Sequence, residues 1–151
     1  MNDLITPEIR AWVGRVEPTP RIEVTRQDII KYAVATEQRQ AKYLRGDEAP
    51  PMFMFGALRE VVPIDALGPD GLKASSMLPE LPLKRIMAGG TKTRYTRPVR
   101  PGDVLVGKRT LADIYSKQGS GGPLIFVVVE IEIETEAGEP VMRETQTRIV
   151  R

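Results

Sequence analysis

The 151-residue sequence contains neither cysteine nor histidine. Without cysteine the chain forms no disulfide and offers no thiolate, which agrees with a reducing compartment, and we predict a cytoplasmic protein. Without histidine, a Ser-His-Asp triad, an Asp/His dyad and the usual zinc sites are excluded within this chain. Any acid–base chemistry must therefore come from Asp, Glu, Lys or Tyr, or from a second chain.

Long apolar runs and a strong excess of one charge are also missing. No apolar run approaches the ~20 residues of a membrane-spanning helix, and the first residues lack the apolar core of a secretory signal. The formal net charge of +2 gives no indication of binding to nucleic acid or to an anionic membrane. Hydrophobic residues make up 41% of the chain, as in ordinary globular proteins, and we predict one domain over residues 1–151.

The first half of the sequence predicts helices. Thr25 and Asp28 have the spacing of a capping box, and the helix that they start extends to about Thr36 with an apolar stripe along one side. A second helix is predicted from Met52 to about Val62. Shorter elements precede these helices, namely a helical turn over 7–13 and a strand over 21–24. A long loop, 63–83, follows them.

The second half predicts an antiparallel meander. Strands are expected over 91–96, 104–115, 124–135 and 141–150, with a flexible turn at 116–122, a bulge at Gly107 and a hairpin connection at 136–139. Separate helical and strand regions indicate the α+β class, with the sheet wrapped around the helix of 25–36. Before the second strand, Arg100-Pro101-Gly102-Asp103 has proline and glycine where a type II turn needs them.

Motif residues occur in a fixed order over nearly the whole chain. They are Gly14-Arg15 through Glu17-Pro18; Val24-Thr25 with Asp28-Ile29 and Tyr32-Ala33; Ala49-Pro50-Pro51 with Phe53; and Arg97-Pro98 through Asp103, continuing into 120–129 and 148–151. With these segments the chain resembles the MaoC-like dehydratase family, in particular the N-terminal-type domain of fatty-acid-synthase-like (R)-hydroxyacyl dehydratases. The resemblance implies a hot-dog fold that pairs side by side with a second hot dog.

The residues that carry the family's chemistry differ in this sequence. Active members have an Asp and a His just after the central helix, and the resemblance places Gln38 at the Asp, Gln40 at a neighbouring Asn and Tyr43 at the His. A carboxamide is no general base near neutral pH, and an unperturbed tyrosine with a pKa of ~10 is a poor one. Ala88 also replaces a histidine that often precedes the Gly-Gly pair. We therefore expect no catalytic residue in this chain.

The leading hypothesis is a non-catalytic subunit of a heteromeric enoyl-thioester hydratase or (R)-3-hydroxyacyl-thioester dehydratase, in a dimer or a dimer of dimers. A MaoC-like partner would supply Asp and His, and the ligand would be an acyl-CoA or acyl-carrier-protein thioester. No cofactor or metal is expected. The predicted substrate-binding residues are aromatic residues and glycines of the acyl pocket and three arginines for phosphates or acidic carrier groups: Tyr32, Phe53, Phe55, Gly56, Gly89, Gly90, Arg94, Arg97 and Arg100. Plain core packing and surface salt bridges remain the alternatives for these side chains.

Two other functions remain open at this point. One is a homodimeric hot-dog acyl-CoA thioesterase that uses a carboxylate, with Glu37 as the best candidate base and Asp65 as the second. The other is a binding module for acyl thioesters without enzymatic activity.

Overall fold

The computed structural model describes residues 4–69, 71–73 and 76–151. The helices are short and lie in the first half of the chain, whereas the long strands lie in the second half. The helices are α1 (Pro7–Arg10), α2 (Arg26–Ala35), α3 (Ala41–Leu44), α4 (Phe53–Ala57) and a 3-10 helix at Ile64–Ala66. The strands are β1 (Val16–Pro18), β2 (Ile22–Glu23), β3 (Ile86–Tyr95), β4 (Val104–Gly119), β5 (Gly122–Thr135) and β6 (Pro140–Val150).

The strands form a six-stranded antiparallel sheet in the order β1-β4-β5-β6-β3, and β2 also pairs with β4. β5 is therefore the central strand, and its alternate residues from Ile125 to Ile133 are buried. The opposite edge of the sheet is β3, which pairs with β6 and, within the described residues, with no strand on its outer side. We call the face of the sheet that carries the buried residues of β5 the inner face.

Helix α2 packs its apolar stripe into the core. Thr25 starts it as predicted, because its hydroxyl accepts a hydrogen bond from the Asp28 backbone N–H at 3.1 Å. Ile29 and Ala33 are fully buried, so these two residues anchor the helix. Ile29 belongs to a core that sheet, helices and loops share, which includes Val24, Met54, Leu58, Leu105, Leu111, Ile114, Ile125, Val127, Ile131, Val141 and Val150.

The chain leaves α2 through a Schellman turn. The Gln38 N–H donates to the Ala33 carbonyl at 2.9 Å and the Glu37 N–H donates to the Val34 carbonyl at 3.2 Å. Glu37 has a φ of +54°, the left-handed region that is unfavourable for a residue with a Cβ. The turn therefore directs residues 38–40 sharply away from the helix axis and into α3.

Several predicted boundaries were wrong. The second helix covers only Phe53–Ala57, because Gly56 weakens it and β-branched Val61 and Val62 lead into Pro63, which disfavours helix before it. The strand predicted from residue 91 already begins at Ile86. The strand predicted to end at residue 115 continues to Gly119, so the flexible turn over 116–122 shrinks to a tight hairpin. The predicted loop 63–83 contains the 3-10 helix, and its residues 70, 74 and 75 lie outside the described part.

The predicted bulge at Gly107 was also wrong. The register of β4 with β5 shifts between Leu111 and Asp113, whereas Gly107 pairs regularly with Ile133. Glycine is needed there because the backbones approach closely: an added Cβ would lie 2.1 Å from the Glu132 carbonyl oxygen. The type II turn is confirmed, since Gly102 has a φ of +91° and the Asp103 N–H donates to the Arg100 carbonyl.

The close approach at Gly107 predicts that Gly107→Ala destabilises the fold by about 1–3 kcal/mol, because β4 and β5 must move apart to admit a methyl group. The midpoint of urea unfolding measures this loss. Gly121→Ala is the matched control, since an added Cβ there meets nothing within 4 Å. Equal stability of the two variants would show that β4 and β5 do not meet in this register.

Candidate functional site

A pocket of about 260 Å³ opens where the loop after α3 meets the chain between β3 and β4. A backbone hydrogen bond from the Ala49 N–H to the Val99 carbonyl, 2.8 Å long, joins these two segments. Prolines in both segments restrict the backbone and shape the walls. The lining residues are Tyr43, Glu48, Ala49, Pro50, Pro51, Tyr95, Thr96, Arg97, Pro98 and Val99.

Of the three positions that replace the expected Asp, Asn and His, Tyr43 lines this pocket. It is 7% exposed, and the Lys42 ammonium lies 4.9 Å from its ring centroid. Gln38 instead donates to the Thr36 hydroxyl at 3.3 Å, and Gln40 is exposed at the start of α3. The structure therefore brings no proton-transfer pair together from these positions.

Two charged residues of the pocket wall, Glu48 and Arg97, are engaged in ion pairs. Glu48 accepts an ion-pair hydrogen bond from Lys42 at 2.7 Å, and this bond raises the pKa of Lys42. Arg97 makes a bidentate contact with Asp103 at 2.8 and 3.0 Å and also contacts Glu139. Arg97 thus joins the turn after β3 to the hairpin between β5 and β6, which favours the salt-bridge alternative for this arginine.

Tyr95 closes one side of the pocket. Its hydroxyl donates to the Pro51 carbonyl at 2.5 Å, which ties β3 to the start of α4. Burial, with smaller contributions from Glu144 and Tyr32, raises the pKa of Tyr95 to about 12. Near neutral pH this phenol is therefore a hydrogen-bond donor and no base.

Glu144 is the buried ionisable residue that sequence reasoning missed. It lies in β6 opposite Ile131, on the inner face, and is 4% exposed. Thr93 donates to one carboxylate oxygen and Gln146 to the other, each at 2.6 Å. Within the described residues no cation pairs with it, so neutral donors alone stabilise a buried acidic group. The alternation of β6 puts Glu144 and Gln146 on one side of the strand, but only the pairing with β5 shows that this side faces inward.

The predicted acyl-pocket residues lie in three separate regions of the structure. Tyr32 of α2 and Phe53 of α4 meet edge to face with ring centroids 5.7 Å apart. Phe55 is 43% exposed on the other side of α4, beside Arg59, and Gly56 is also exposed. Gly89 and Gly90 lie at a register shift in the edge strand β3. The structure therefore joins Tyr32 to Phe53 and leaves the other predicted residues at the surface.

The remaining predicted residues are exposed. Arg94 lies opposite Arg143 on the outer face of the sheet, away from Tyr95. Arg100 contributes its backbone N–H to the Asp103 carboxylate at 2.8 Å, while the residue itself is exposed. Glu37 is exposed at the Schellman turn and Asp65 in the 3-10 helix. Neither of these two candidate bases lines the pocket.

The described residues contain no group of three Asp or Glu side chains with the geometry of a metal site. Among the same residues, every helix is too short or too polar to cross a bilayer.

Comparison with known proteins decides the family. Residues 11–144 match the model of the FAS1-like dehydratase domain region. The chain belongs to this family. A UPF0336 protein of Thermobifida fusca is 30% identical over 94% of this chain and 93% of its own length. The mesaconyl-C(4)-CoA hydratase of Chloroflexus aurantiacus is 27% identical over 82% of this chain, which spans 44% of that enzyme.

Solved structures show the same fold. The MaoC-like dehydratase of Rhodospirillum rubrum matches with a TM-score of 0.58 at 21% identity, over 91% of each chain. A chain of the HadBC 3R-hydroxyacyl-ACP dehydratase complex of Mycobacterium tuberculosis gives 0.64 at 16% identity, over 91% of this chain and 96% of that one. A chain of the ChsH1–ChsH2 complex of the same organism gives a TM-score of 0.65 at 17% identity, over 94% of this chain and 90% of that one. The hot-dog fold and the MaoC-like resemblance are confirmed.

The burial of Tyr95 predicts a delayed ionisation of one tyrosine in the FAS1-like dehydratase domain. Its folded pKa of about 12 lies above the unfolded value of ~10. Tyr95 therefore contributes stability that is complete below about pH 10 and is lost as the pH rises towards 12, because the unfolded chain ionises first. The ultraviolet absorbance of phenolate measures the titration, and Tyr95→Phe should remove its most alkaline component. Loss of an earlier component instead would contradict the burial.

Proposed function

We propose that this chain is the non-catalytic, acyl-binding subunit of a heteromeric enoyl-thioester hydratase or (R)-3-hydroxyacyl-thioester dehydratase. The observation that carries the proposal is the combination of a complete hot-dog fold with a pocket wall that lacks an available proton donor–acceptor pair. At this wall Tyr95 is a neutral phenol, Glu48 is paired with Lys42 and Arg97 is paired with Asp103. Such a wall can orient a ligand but offers no base near neutral pH.

The free edge of the sheet supports a partner subunit. β3 has ten residues, nearly all of its length is exposed, and Ile86 and Met87 are 57% and 39% exposed. An unpaired edge strand with apolar side chains is normally covered in a stable assembly. More exposed apolar side chains lie on and after α4: Met52, Phe55, Val61 and Ile64. A second hot dog added along β3 would satisfy the open backbone groups of this edge.

The related proteins support the same assembly. Two structural neighbours belong to complexes named for two components, HadBC and ChsH1–ChsH2. The mesaconyl-C(4)-CoA hydratase is more than twice as long as the segment that this chain matches, which leaves room for a second unit of this size. These likenesses are consistent with a half that functions beside a second half.

In the proposed reaction the partner's Asp and His perform the proton transfers. In dehydration the base takes the proton from C2 of the 3-hydroxyacyl thioester, the C2–C3 double bond forms, and the C3 hydroxyl leaves as water after it receives a proton. This chain positions the acyl group against Tyr32 and Phe53, whose ring contact forms an apolar wall. The Gly89–Gly90 backbone at the free edge lets the thioester approach closely.

Reconstitution with a MaoC-like partner that carries Asp and His tests the proposal. We expect the chain alone to hydrate crotonyl-CoA and longer enoyl-CoA substrates at the background rate and the complex to be active. In the complex, Gln38→Ala and Gln40→Ala should change kcat by less than about two-fold, whereas Asp→Asn in the partner should reduce it by at least about 100-fold. Substantial activity of the pure chain, or a large loss with Gln38→Ala, would contradict the proposal.

A variant of the apolar wall that Tyr32 and Phe53 form provides a second measurement on the same complex. Phe53→Leu enlarges the space beside Tyr32 while keeping an apolar side chain, so we expect a changed ratio of kcat/KM for long and short enoyl chains. Unchanged selectivity would show that the acyl group does not contact this wall.

A further inference from the structure

Three arginines lie at the end of α4 and on the side of the sheet that faces the helices. Arg59 follows Leu58, the C-cap of that helix, Arg109 lies in β4 and Arg148 lies in β6. Arg109 is opposite Ile131 and Arg148 is opposite Val127, and both of these β5 residues are buried on the inner face. Both arginines therefore start from the side of the sheet that packs against the helices.

Specific contacts hold two of these side chains. An Arg109 Nη2 atom donates to the Leu58 carbonyl at 2.6 Å, which fixes β4 against the end of α4. The guanidinium carbon of Arg59 lies 4.7 Å from the ring centroid of Phe55, close enough for a cation–π contact. The positions of Arg59 and Arg109 are thus set by the fold and not by a negative partner.

The cluster has no counter-charge. Within the described residues, no carboxylate lies within ion-pair distance of Arg59, Arg109 or Arg148. Other arginines of the chain have such partners, for example Arg97 with Asp103 and Arg143 with Glu132. Arg59 and Arg148 are exposed and Arg109 is half-buried, so an anion from solution can reach these three positive groups and relieve their repulsion.

The three charges also influence one another. Arg148 is exposed as a residue, but partial desolvation of its guanidinium lowers its pKa, and repulsion by Arg109 and then Arg59 lowers it further. The register agrees with this repulsion, because it places Arg109 and Arg148 on the same face of the sheet, in the two strands that flank β5.

We propose that Arg59, Arg109 and Arg148 form an oxyanion-binding site for a negatively charged group of the thioester ligand. Guanidinium groups suit this role because they donate paired hydrogen bonds to phosphate or carboxylate oxygens. Arg148 pairs across the strands with Ala88, directly before Gly89 and Gly90, so the site adjoins the proposed path of the thioester. This assignment rests on the proposed function, and it requires that the ligand carry a phosphate or a carboxylate.

Two parts of a thioester ligand carry such an oxyanion. One is the phosphate of the phosphopantetheine arm, which coenzyme A and carrier proteins share, and the other is a carboxylate at the end of a dicarboxylic acyl group. Two matched ligand pairs distinguish them. 4′-Phosphopantetheine against pantetheine tests the phosphate, and glutaryl-pantetheine against butyryl-pantetheine tests the acyl carboxylate.

The experiment measures the affinity of each ligand by titration calorimetry, for the chain alone and with its partner subunit. We expect the charged member of one pair to bind the unchanged chain more tightly than its neutral counterpart. Arg148→Gln should weaken the charged ligand by at least about ten-fold, since charge-assisted hydrogen bonds are lost. The neutral ligand should bind both forms equally. The pair that shows this difference identifies the source of the oxyanion.

Arg143→Gln is the matched control. It removes the same charge from the same strand, but Arg143 lies on the outer face of the sheet and pairs with Glu132. We expect it to change the affinity by less than about two-fold. Thermal unfolding establishes that both variants are folded, and Arg109→Gln provides a second test if Arg148→Gln is not. Equal effects of Arg143→Gln and Arg148→Gln, or no preference for either charged ligand, would overturn the site.

Failure of this site and failure of the proposed function give different results. If Arg148→Gln still forms an active complex and no charged ligand is preferred, the oxyanion site is wrong and the subunit role stands. If the unchanged chain forms no active complex yet binds one charged ligand through Arg148, the site stands and the proposed reaction is wrong.

Discussion

The architecture depends on one packing constraint: a single short helix has to cover the inner face of a six-stranded sheet. Helix α2 has ten residues, which span about 15 Å. Strand β4 has 16 residues and is about 50 Å long when extended. Helix α2 can therefore bury only part of that face, where Ile29 and Ala33 meet the core. Loops and short helices cover further parts, and the β6–β3 side keeps polar residues.

This division explains the chemistry of the inner face. Around β4 and β5 the inward side chains are mostly aliphatic, as expected of a dry core. Towards β3 they include Glu144, Gln146 and Thr93, which form a hydrogen-bonded group. A buried carboxylate without a cation is costly in a closed core. Its presence beside a free sheet edge fits a surface that another subunit and a ligand complete, in agreement with the proposed role.

Local signals predicted the parts of the fold that local chemistry decides. The Thr25 N-cap and the Arg100–Asp103 turn were correct because each depends on residues within three positions of one another. The C-terminal end of β4 and the role of Gly107 were wrong because both depend on pairing with β5. The pairing of Arg97 with Asp103 combines a local turn with packing, so the sequence left salt bridge and ligand contact as alternatives.

The site was less predictable than the fold for a related reason. Tyr32 and Phe53 were named as pocket residues and do meet, because both belong to apolar stripes of helices that share a core. Glu144 and the cluster of Arg59, Arg109 and Arg148 were missed as a group. Glu144 and Arg148 face inward only in the observed register of β6 with β5, and Arg109 only in that of β4 with β5. Alternation alone does not say which side of a strand is buried.

Amide hydrogen exchange of β3 tests most directly the proposal that a partner subunit covers this edge of the sheet. In the chain alone, the outward-facing amides of Ile86–Tyr95 should exchange rapidly, because no strand covers that edge. Addition of the partner subunit should protect them strongly, while the already protected amides of β5 should change little. Unchanged exchange along β3 in an active complex would contradict the account, because the partner would then lie elsewhere.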